Sequence, residues 1–206
     1  GVLRALAAEL LSSDEGRATL AAQMLATTRA PAAIGALRAA LMHPSAAVRT
    51  VAIETLGEQG AAGAADAIAD RLRAEPDVLV KHAAARALRS LAAVGSASAR
   101  VVAALRARKD DEDARVAAAV RVALAFAEDH ASASRGTALL PLLGEGDALA
   151  EEVLTALPPA AAHDAEVHAA LRACLDVDRP LPIRRAAMRA IARLRVTPLL
   201  ADVVAL

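Results

Sequence analysis

The sequence repeats a nine-residue pattern at steps of 32 to 36 residues, and this spacing constrains the fold more than any other feature. Each copy opens with an aliphatic residue, has a small or aliphatic residue four positions later, and closes with leucine or isoleucine eight positions on. The five clear copies occupy residues 48–56, 80–88, 116–124, 149–157 and 183–191. A weaker first copy at residues 16–24 has Leu20 and Met24 in the matching places. Because positions i, i+4 and i+8 share one face of a helix, every copy is predicted to be an amphipathic helix.

Turn-forming residues separate these copies from a second set of helical segments. The second set covers residues 31–42, 62–74, 98–109, 134–144 and 164–175, and residues 1–11 and 198–206 have the same character. Glycines are predicted to end helices, and short polar residues are predicted to cap the amides of the next helix. The predicted caps are Ser45, Asp77, Asp113 and Asp147, and the predicted terminators are Gly57, Gly60, Gly144 and Gly146.

The composition favours a purely helical fold. Alanine supplies 60 of the 206 residues and Phe126 is the single aromatic residue, whereas strands favour β-branched and aromatic side chains. A pair of short amphipathic helices cannot bury its apolar stripe alone, but stacked pairs form a continuous core. The sequence therefore predicts an all-α, right-handed α–α superhelix of about six helix pairs. We expect residues 1–206 to form one repeat domain cut from a longer array or protein; a compact helical bundle is the alternative.

Three segments show a family resemblance: PSAAVRTVAIETLG at 44–57, PDVLVKHAAARAL at 76–88 and PIRRAAMRAI at 182–191. They resemble HEAT repeats, most of all the short bacterial repeats of the phycobilisome-lyase type. The resemblance implies a scaffold or adaptor, and it implies a ladder of basic residues that pair with aspartates in the turns. The implied ladder residues are Arg17, Arg49, Lys81, Arg184, Asp14, Asp77, Asp113 and Asp147. Ala117 and Ala150 replace the basic residue in two copies.

No catalytic group, metal or cofactor is predicted. Nucleophilic catalysis needs a base beside a serine, cysteine or threonine, and the five histidines lie in no recognisable motif of that kind. His163, Asp164 and His168 lack a further metal ligand at suitable spacing, so a solvated surface is the favoured interpretation. Cys174 is the single cysteine and is predicted to be a core residue. Because no intrachain disulfide can form, the cytoplasm is the expected compartment.

Charge and hydropathy argue against nucleic acids and membranes as partners. Lysine and arginine together number 24, as do aspartate and glutamate, so there is no basic surplus. The chain also lacks an apolar run of the roughly 18 residues that a membrane span needs. The stretch 179–195 is a local exception, with six arginines and no acid. These arginines either pair with the preceding copy, where Glu151 or Glu152 could meet Arg184 or Arg185, or they form a binding surface.

The leading functional hypothesis is a scaffold that binds another protein on the concave face of the solenoid. The second helices are expected to line this face, and its predicted binding residues are Glu54, Arg86, Arg89, Arg121, Arg185, Arg189 and Arg193. Exposed ends of the array are also expected to favour self-association. One alternative is a regulatory or sensor segment of a larger ATPase or kinase. The other is an enzyme like a bilin lyase or a helical-repeat DNA glycosylase, which the shortage of aromatic rings disfavours; we therefore expect no enzyme.

Overall fold

The computed structural model describes residues 1–134 and 136–199. Within these ranges the chain forms twelve α-helices, joined by turns and short 3-10 segments, and it contains no strand. In chain order the helices are α1 (Val2–Glu9), α2 (Glu15–Ala26), α3 (Pro31–Ala40), α4 (Ala46–Glu58), α5 (Ala65–Ala74), α6 (Val78–Ala92), α7 (Ala99–Arg108), α8 (Ala114–Glu128), α9 (His130–Ala133), α10 (Asp147–Ala156), α11 (Ala165–Cys174) and α12 (Leu181–Leu194). Every helix in the described ranges is too short or too polar to cross a bilayer.

The helices are arranged as stacked pairs in two layers. The second helices of successive pairs, α2, α4, α6, α8, α10 and α12, pack against one another in that order. In the other layer α1 contacts α3, and α5 contacts α7. The second helices contact one another more extensively than the first helices do, as expected for the inner layer of a curved stack. The predicted all-α solenoid of helix pairs is therefore confirmed.

The repeating apolar stripe forms the core of this stack. The stripe residues of α4 and α6 are fully buried: Val48, Ala52, Leu56, Val80, Ala84 and Leu88. Burying a side chain of this size stabilises the fold by about 1.5–3 kcal/mol for valine or leucine. Helix α8 links two clusters of buried residues, because Val120 packs in the N-terminal cluster and Val122 in the C-terminal one.

The weak first copy lies one residue out of the predicted register. The N-cap of α2 is Asp14, which lies 45 − 14 = 31 residues before the N-cap Ser45 of α4, whereas the sequence alignment used a step of 32. Leu20 and Met24 are consequently 57% and 46% exposed, and Leu25 takes the buried position. The alignment of this copy was therefore wrong by one residue.

The first member of the fifth pair is not an α-helix, although a helix is predicted over residues 134–144. Thr137–Gly144 forms a 3-10 segment that contains Pro141. Proline has no backbone N–H to donate, and its ring clashes with the carbonyl four residues earlier, so an α-helix cannot continue through it undistorted. The helix predicted over residues 198–206 lies outside the described residues from residue 200 onward. The described part of that prediction, residues 198 and 199, belongs to the 3-10 turn Thr197–Leu199.

Three of the four predicted N-caps are confirmed. The side chains of Ser45, Asp77 and Asp113 accept backbone N–H groups from the first turns of α4, α6 and α8. The fourth prediction is wrong, since Asp147 is the first residue of α10 and the N-cap is Gly146. A carboxylate in this first turn still suits the positive end of the helix dipole.

Two glycines at the end of α4 have different roles. Gly60 has a φ of +64° and ends the helix as predicted, with the Ala61 N–H donating to the Leu56 carbonyl at 3.0 Å. Gly57 was predicted to end the helix but lies inside it. A Cβ at Gly57 would lie 2.8 Å from both the Cα and the Cβ of Ala87. The absence of a side chain at residue 57 therefore allows α4 and α6 to approach closely.

Candidate partner-binding surface

The side of the second helices that faces away from the first helices is called the concave strip. Its residues recur at equivalent helix positions, so that Glu54 on α4 corresponds to Arg86 on α6, 32 residues later. The concave strip comprises Thr50, Glu54, Glu58, His82, Arg86, Arg89, Ser90, Arg115, Ala118, Val122, Glu151, Glu152, Thr155, Arg185 and Arg189. The charges alternate by helix: α4 and α10 contribute acids, whereas α6 and α12 contribute bases. Helix α8 contributes small apolar residues and Arg115 at its start.

A groove with a volume of about 450 Å³ lies between α4 and α6 on the concave strip. Acids from α4 line one wall and bases from α6 line the other: Glu54, Glu58, His82, Arg86 and Arg89. Gly57, Ala83 and Ala87 lie at the close crossing of the two helices and also line the groove. The groove therefore has small residues between two walls of opposite charge.

Glu152 of α10 reaches across α8 to the basic side chains of α6. Its Oε1 atom lies 3.3 Å from an Nη atom of Arg89 and 3.8 Å from Nε of Arg86. Its Oε2 atom lies 3.8 Å from Nε2 of His82. The Glu152 side chain is only 11% exposed. A smaller depression of about 180 Å³ lies beside this cluster and is also lined by Arg115 of α8.

Small side chains on α8 make this long-range contact possible. Ala118 and Val122 occupy the positions on α8 that correspond to His82 and Arg86 on α6, each 36 residues later. Both are buried, at 3% and 0% exposure. A longer side chain at either position would extend into the space between α6 and α10. The pattern of small residues on α8 is therefore the sequence signal from which the α6–α10 contact could have been inferred.

The ionisation of this cluster follows from its burial and its partners. Burial raises the pKa of Glu152, but His82, Arg89 and Arg86 lower it by more, so its net pKa is below the ordinary value. Burial lowers the pKa of Arg89, and the carboxylate of Glu152 partly offsets this effect. Glu152 is therefore ionised at neutral pH and holds two arginines and a histidine of α6 in place.

The predicted binding residues have different surroundings. Glu54, Arg185 and Arg189 are exposed and have no ion pair among the described residues. Arg121 is paired with Glu145, just before α10. Arg193 donates to the carbonyls at the C-terminus of α10, including that of Leu157 at 2.9 Å, so it is engaged in packing between repeats. Partner binding through any of these residues stays a prediction.

The predicted contact between the last two repeats does not form. Glu151 or Glu152 was one candidate partner for Arg184 or Arg185, but Glu152 turns towards α6 instead. Among the described residues no acid pairs with Arg184, and its buried Nε atom has no hydrogen-bond partner. The basic side chains at residues 185 and 189 therefore stay available on the surface of α12.

The ladder between repeats exists, but it uses other acids than those predicted. Arg49 of α4 forms two hydrogen bonds to Glu75, at 2.7 and 2.9 Å, and the Glu75 side chain is fully buried. Glu75 also pairs with Arg71 at 2.9 Å and accepts the Asp77 N–H. Asp77 itself caps α6, as described above. The carboxylate of a turn aspartate that caps its own helix is already hydrogen-bonded to that helix. The acid two residues earlier therefore binds the basic side chain of the neighbouring repeat.

The same arrangement recurs one repeat later. Both carboxylate oxygens of Asp111 lie 2.9 Å from Nζ of Lys81, and Asp113 is again the cap. Burial raises the pKa of Asp111, but the hydrogen bond and charge of Lys81, the Asp113 N–H and Arg108 lower it by more, so the net pKa is below its usual range. The acids of the ladder thus lie two residues before the predicted ones.

The ladder does not extend to the first repeat. Arg17 pairs with Glu9 at 2.7 Å and is 63% exposed, and Asp14 caps α2. The shifted register explains this difference, because residue 18 rather than Arg17 takes the place of Arg49. That residue is Ala18, which is buried.

The remaining polar candidates have structural roles. Asp164 caps α11, and the ring of His168 contacts the Ala162 carbonyl at 2.8 Å. Among the described residues no three His, Cys, Asp or Glu side chains lie together as a metal site would require. Cys174 is 3% exposed, which confirms it as a core residue, and burial raises the pKa of its thiol. Phe126 is buried within α8.

These features define an α-solenoid with a charged concave strip. Residues 3–89 match the family described as HEAT repeats, which confirms for this part of the chain the resemblance seen in the sequence. No curated protein matches the sequence as a significant relative. Among solved structures, the fold is similar to the complex of CpcE and CpcF of phycocyanin lyase from Nostoc sp. PCC7120. That match has a TM-score of 0.61 and 19% sequence identity, and it covers 93% of this chain and 76% of the other.

The match corrects one expectation. We expected no enzyme, because the chain has a single aromatic ring, that of Phe126, yet the similar structure is that of a lyase complex. The fold over nearly the whole chain is therefore one that an enzyme uses, and the expectation was wrong. The similar structure is also a complex of two proteins. At 19% identity the likeness itself establishes the fold of this chain and nothing further.

Proposed function

We propose that this protein is a scaffold that binds a partner protein on the concave strip. The observation that carries the proposal is the set of exposed charges that have no ion pair among the described residues, on helices at both ends of the strip. Glu54 and Glu58 lie on α4, and Arg185 and Arg189 lie on α12. Several charges that face neighbouring repeats are instead engaged in pairs, among them Arg49–Glu75 and Lys81–Asp111.

Two further features support binding to a protein surface. Arginine is one of the residue types that carry most of the energy in protein interfaces, and α6 and α12 present several arginines on the strip. The cluster around Glu152 fixes the arginines of α6 before a partner arrives. A side chain that is already ordered loses less conformational entropy on binding, so the fixed arginines favour affinity.

The test is site-specific crosslinking in cells that express the gene. A photoreactive amino acid at residue 54 or residue 189 should capture a distinct protein, which mass spectrometry identifies. The matched control is residue 38, an exposed arginine on α3 in the first-helix layer. The double variant Glu54→Arg, Arg189→Glu should lose the captured protein while its far-ultraviolet circular dichroism stays unchanged. Equal capture from residue 38, or no loss in the double variant, would refute the proposal.

A second candidate function is a subunit of a lyase-type enzyme. The specific observation in its favour is the fold likeness to the phycocyanin lyase complex over 93% of the chain. In this case the groove between α4 and α6 would take a chromophore such as a bilin, with arginines as partners for its carboxylates. Titration with a free bilin, followed by absorbance, tests this candidate. A spectral shift that disappears in Arg86→Gln would support it, and an unchanged spectrum would refute it.

A further inference from the structure

The groove between α4 and α6 places two rows of opposite charge side by side without joining them. Glu54 on α4 and Arg86 on α6 are equivalent residues of adjacent repeats, yet they form no ion pair within 4 Å. Arg86 is 44% exposed and is directed towards Glu152, which lies 3.8 Å away. Glu58 is likewise exposed and has no ion pair among the described residues. Glu152 supplies one carboxylate against the two arginines of α6, so the α6 wall keeps a net positive charge opposite the unpaired carboxylates of α4.

The spacing of these charges matches the repeat of an extended chain. Glu54 and Glu58 are four residues apart on a helix, which places them about 6 Å apart along the axis at 1.5 Å per residue. His82 and Arg86 have the same spacing on the opposite wall. In an extended segment, residues i and i+2 point to the same side and lie about 6.6 Å apart. Alternate residues of such a segment would therefore face the same wall.

The arrangement of the charges favours an extended segment over a helix. In an extended segment successive side chains point to opposite sides, so neighbouring residues reach opposite walls. On a helix the side chains are spread around the whole circumference, so the residues that face two opposite walls do not alternate along the chain. An extended chain is thinner and can lie along the small residues between the walls, with its side chains directed to left and right.

From these observations we propose that the groove binds an extended segment of the partner protein in which basic and acidic residues alternate. The basic residues of the segment pair with Glu54 and Glu58, and its acidic residues pair with Arg86 and His82. This inference rests on the proposed scaffold function and specifies the chemistry of the partner. It does not use the arginines of α12, which are left for another part of the same partner.

The experiment measures binding of labelled peptides to the full chain by fluorescence anisotropy at low ionic strength. One peptide alternates lysine and glutamate; a second has the same composition with all lysines before all glutamates. The alternating peptide should bind at least about threefold more tightly, the factor expected when one to two exposed ion pairs are gained. The double variant Glu54→Gln, Glu58→Gln should lose this preference. The control variant Glu112→Gln replaces an exposed acid in the turn before α8 and should keep it.

A reversal of one wall provides a second measurement. In the double variant Glu54→Lys, Glu58→Lys both walls of the groove are basic. An all-glutamate peptide should therefore bind to it more tightly than the alternating peptide does. Equal binding of the two lysine–glutamate peptides by the unaltered protein would overturn the inference, as would an unchanged preference after the reversal. The crosslinking from residues 54 and 189 separates the two proposals. Capture of a partner without a preference for alternating charge would refute this inference and leave the scaffold function in place.

Discussion

Replacement of Glu75 by glutamine tests whether the buried ladder holds the repeats together. Glu75 has no exposed side-chain surface. It accepts hydrogen bonds from Nε and an Nη of Arg49 and from the Asp77 N–H, at 2.7 to 3.0 Å, and it forms an ion pair with Nε of Arg71 at 2.9 Å. Glutamine retains the shape of the side chain but loses the negative charge. One of its two terminal atoms becomes an NH₂ group that faces an arginine instead of accepting from it.

The expected cost follows from the burial of the arginines. The side chains of Arg49 and Arg71 are only 10% and 15% exposed, so water cannot replace the lost carboxylate. Removing one partner of a buried ion pair costs about 3–5 kcal/mol of unfolding free energy. For a chain of this size each kcal/mol corresponds to about 2–4 °C in Tm, so we expect Tm to fall by roughly 6–20 °C.

The assay is urea and thermal unfolding followed by circular dichroism at 222 nm. The matched control is Asp70→Asn, which breaks the Arg100–Asp70 pair at a similar distance of 3.0 Å but with side chains 58% and 48% exposed. Exposed pairs contribute about 0–1 kcal/mol, so this variant should unfold almost as the parent does. The reasoning is refuted if Glu75→Gln lowers the stability no more than Asp70→Asn does.

Three further predictions concern packing, pH and reactivity. Gly57→Ala should lower the unfolding free energy by about 1–3 kcal/mol, because the new Cβ overlaps Ala87, whereas Gly35→Ala in α3, with open space around it, should raise it by about 0.5–1 kcal/mol. Because the pKa of Glu152 is lowered in the folded state, its contribution to stability is present above the ordinary pKa of about 4.5 and is lost as the pH falls through the lowered value. The urea midpoints of the parent and Glu152→Gln should therefore converge in acid, and a constant difference would contradict this. Cys174 should react with a thiol reagent in urea but not in the folded protein, since burial both shields the thiol and raises its pKa.

The helices could be predicted from the sequence because the pattern that reports them is local. Aliphatic residues at i, i+4 and i+8 define a buried stripe whatever the helix packs against, and Val80, Ala84 and Leu88 are all buried as predicted. The pattern fails where another local rule competes with it. Pro141 prevents an α-helix in the fifth pair. In the first copy several alanines allow more than one register, and the pattern therefore assigns Leu20 to the core although its side chain is exposed.

The candidate site was harder to predict because its contacts connect distant repeats. The direction of Glu152 depends on what α8 places between α10 and α6, and nothing near residue 152 in the sequence reports this. The acids of the ladder were misassigned for a similar reason. Asp77 and Glu75 are both acids in the same turn, and the choice between them depends on which carboxylate is already bonded to the start of α6.

The neutral composition of the chain has a different meaning once the concave strip is known. With 24 basic and 24 acidic residues, the protein has no overall field to attract a charged partner from a distance. Yet the strip alternates in sign from α4 to α6 and again from α10 to α12, so a partner close to the surface meets strong local charge. Exposed charges are screened within about 10 Å in dilute salt, which is comparable to the distance between neighbouring helices. Recognition on such a surface therefore depends on the order of the charges, and a partner of matching net charge but different order would gain little.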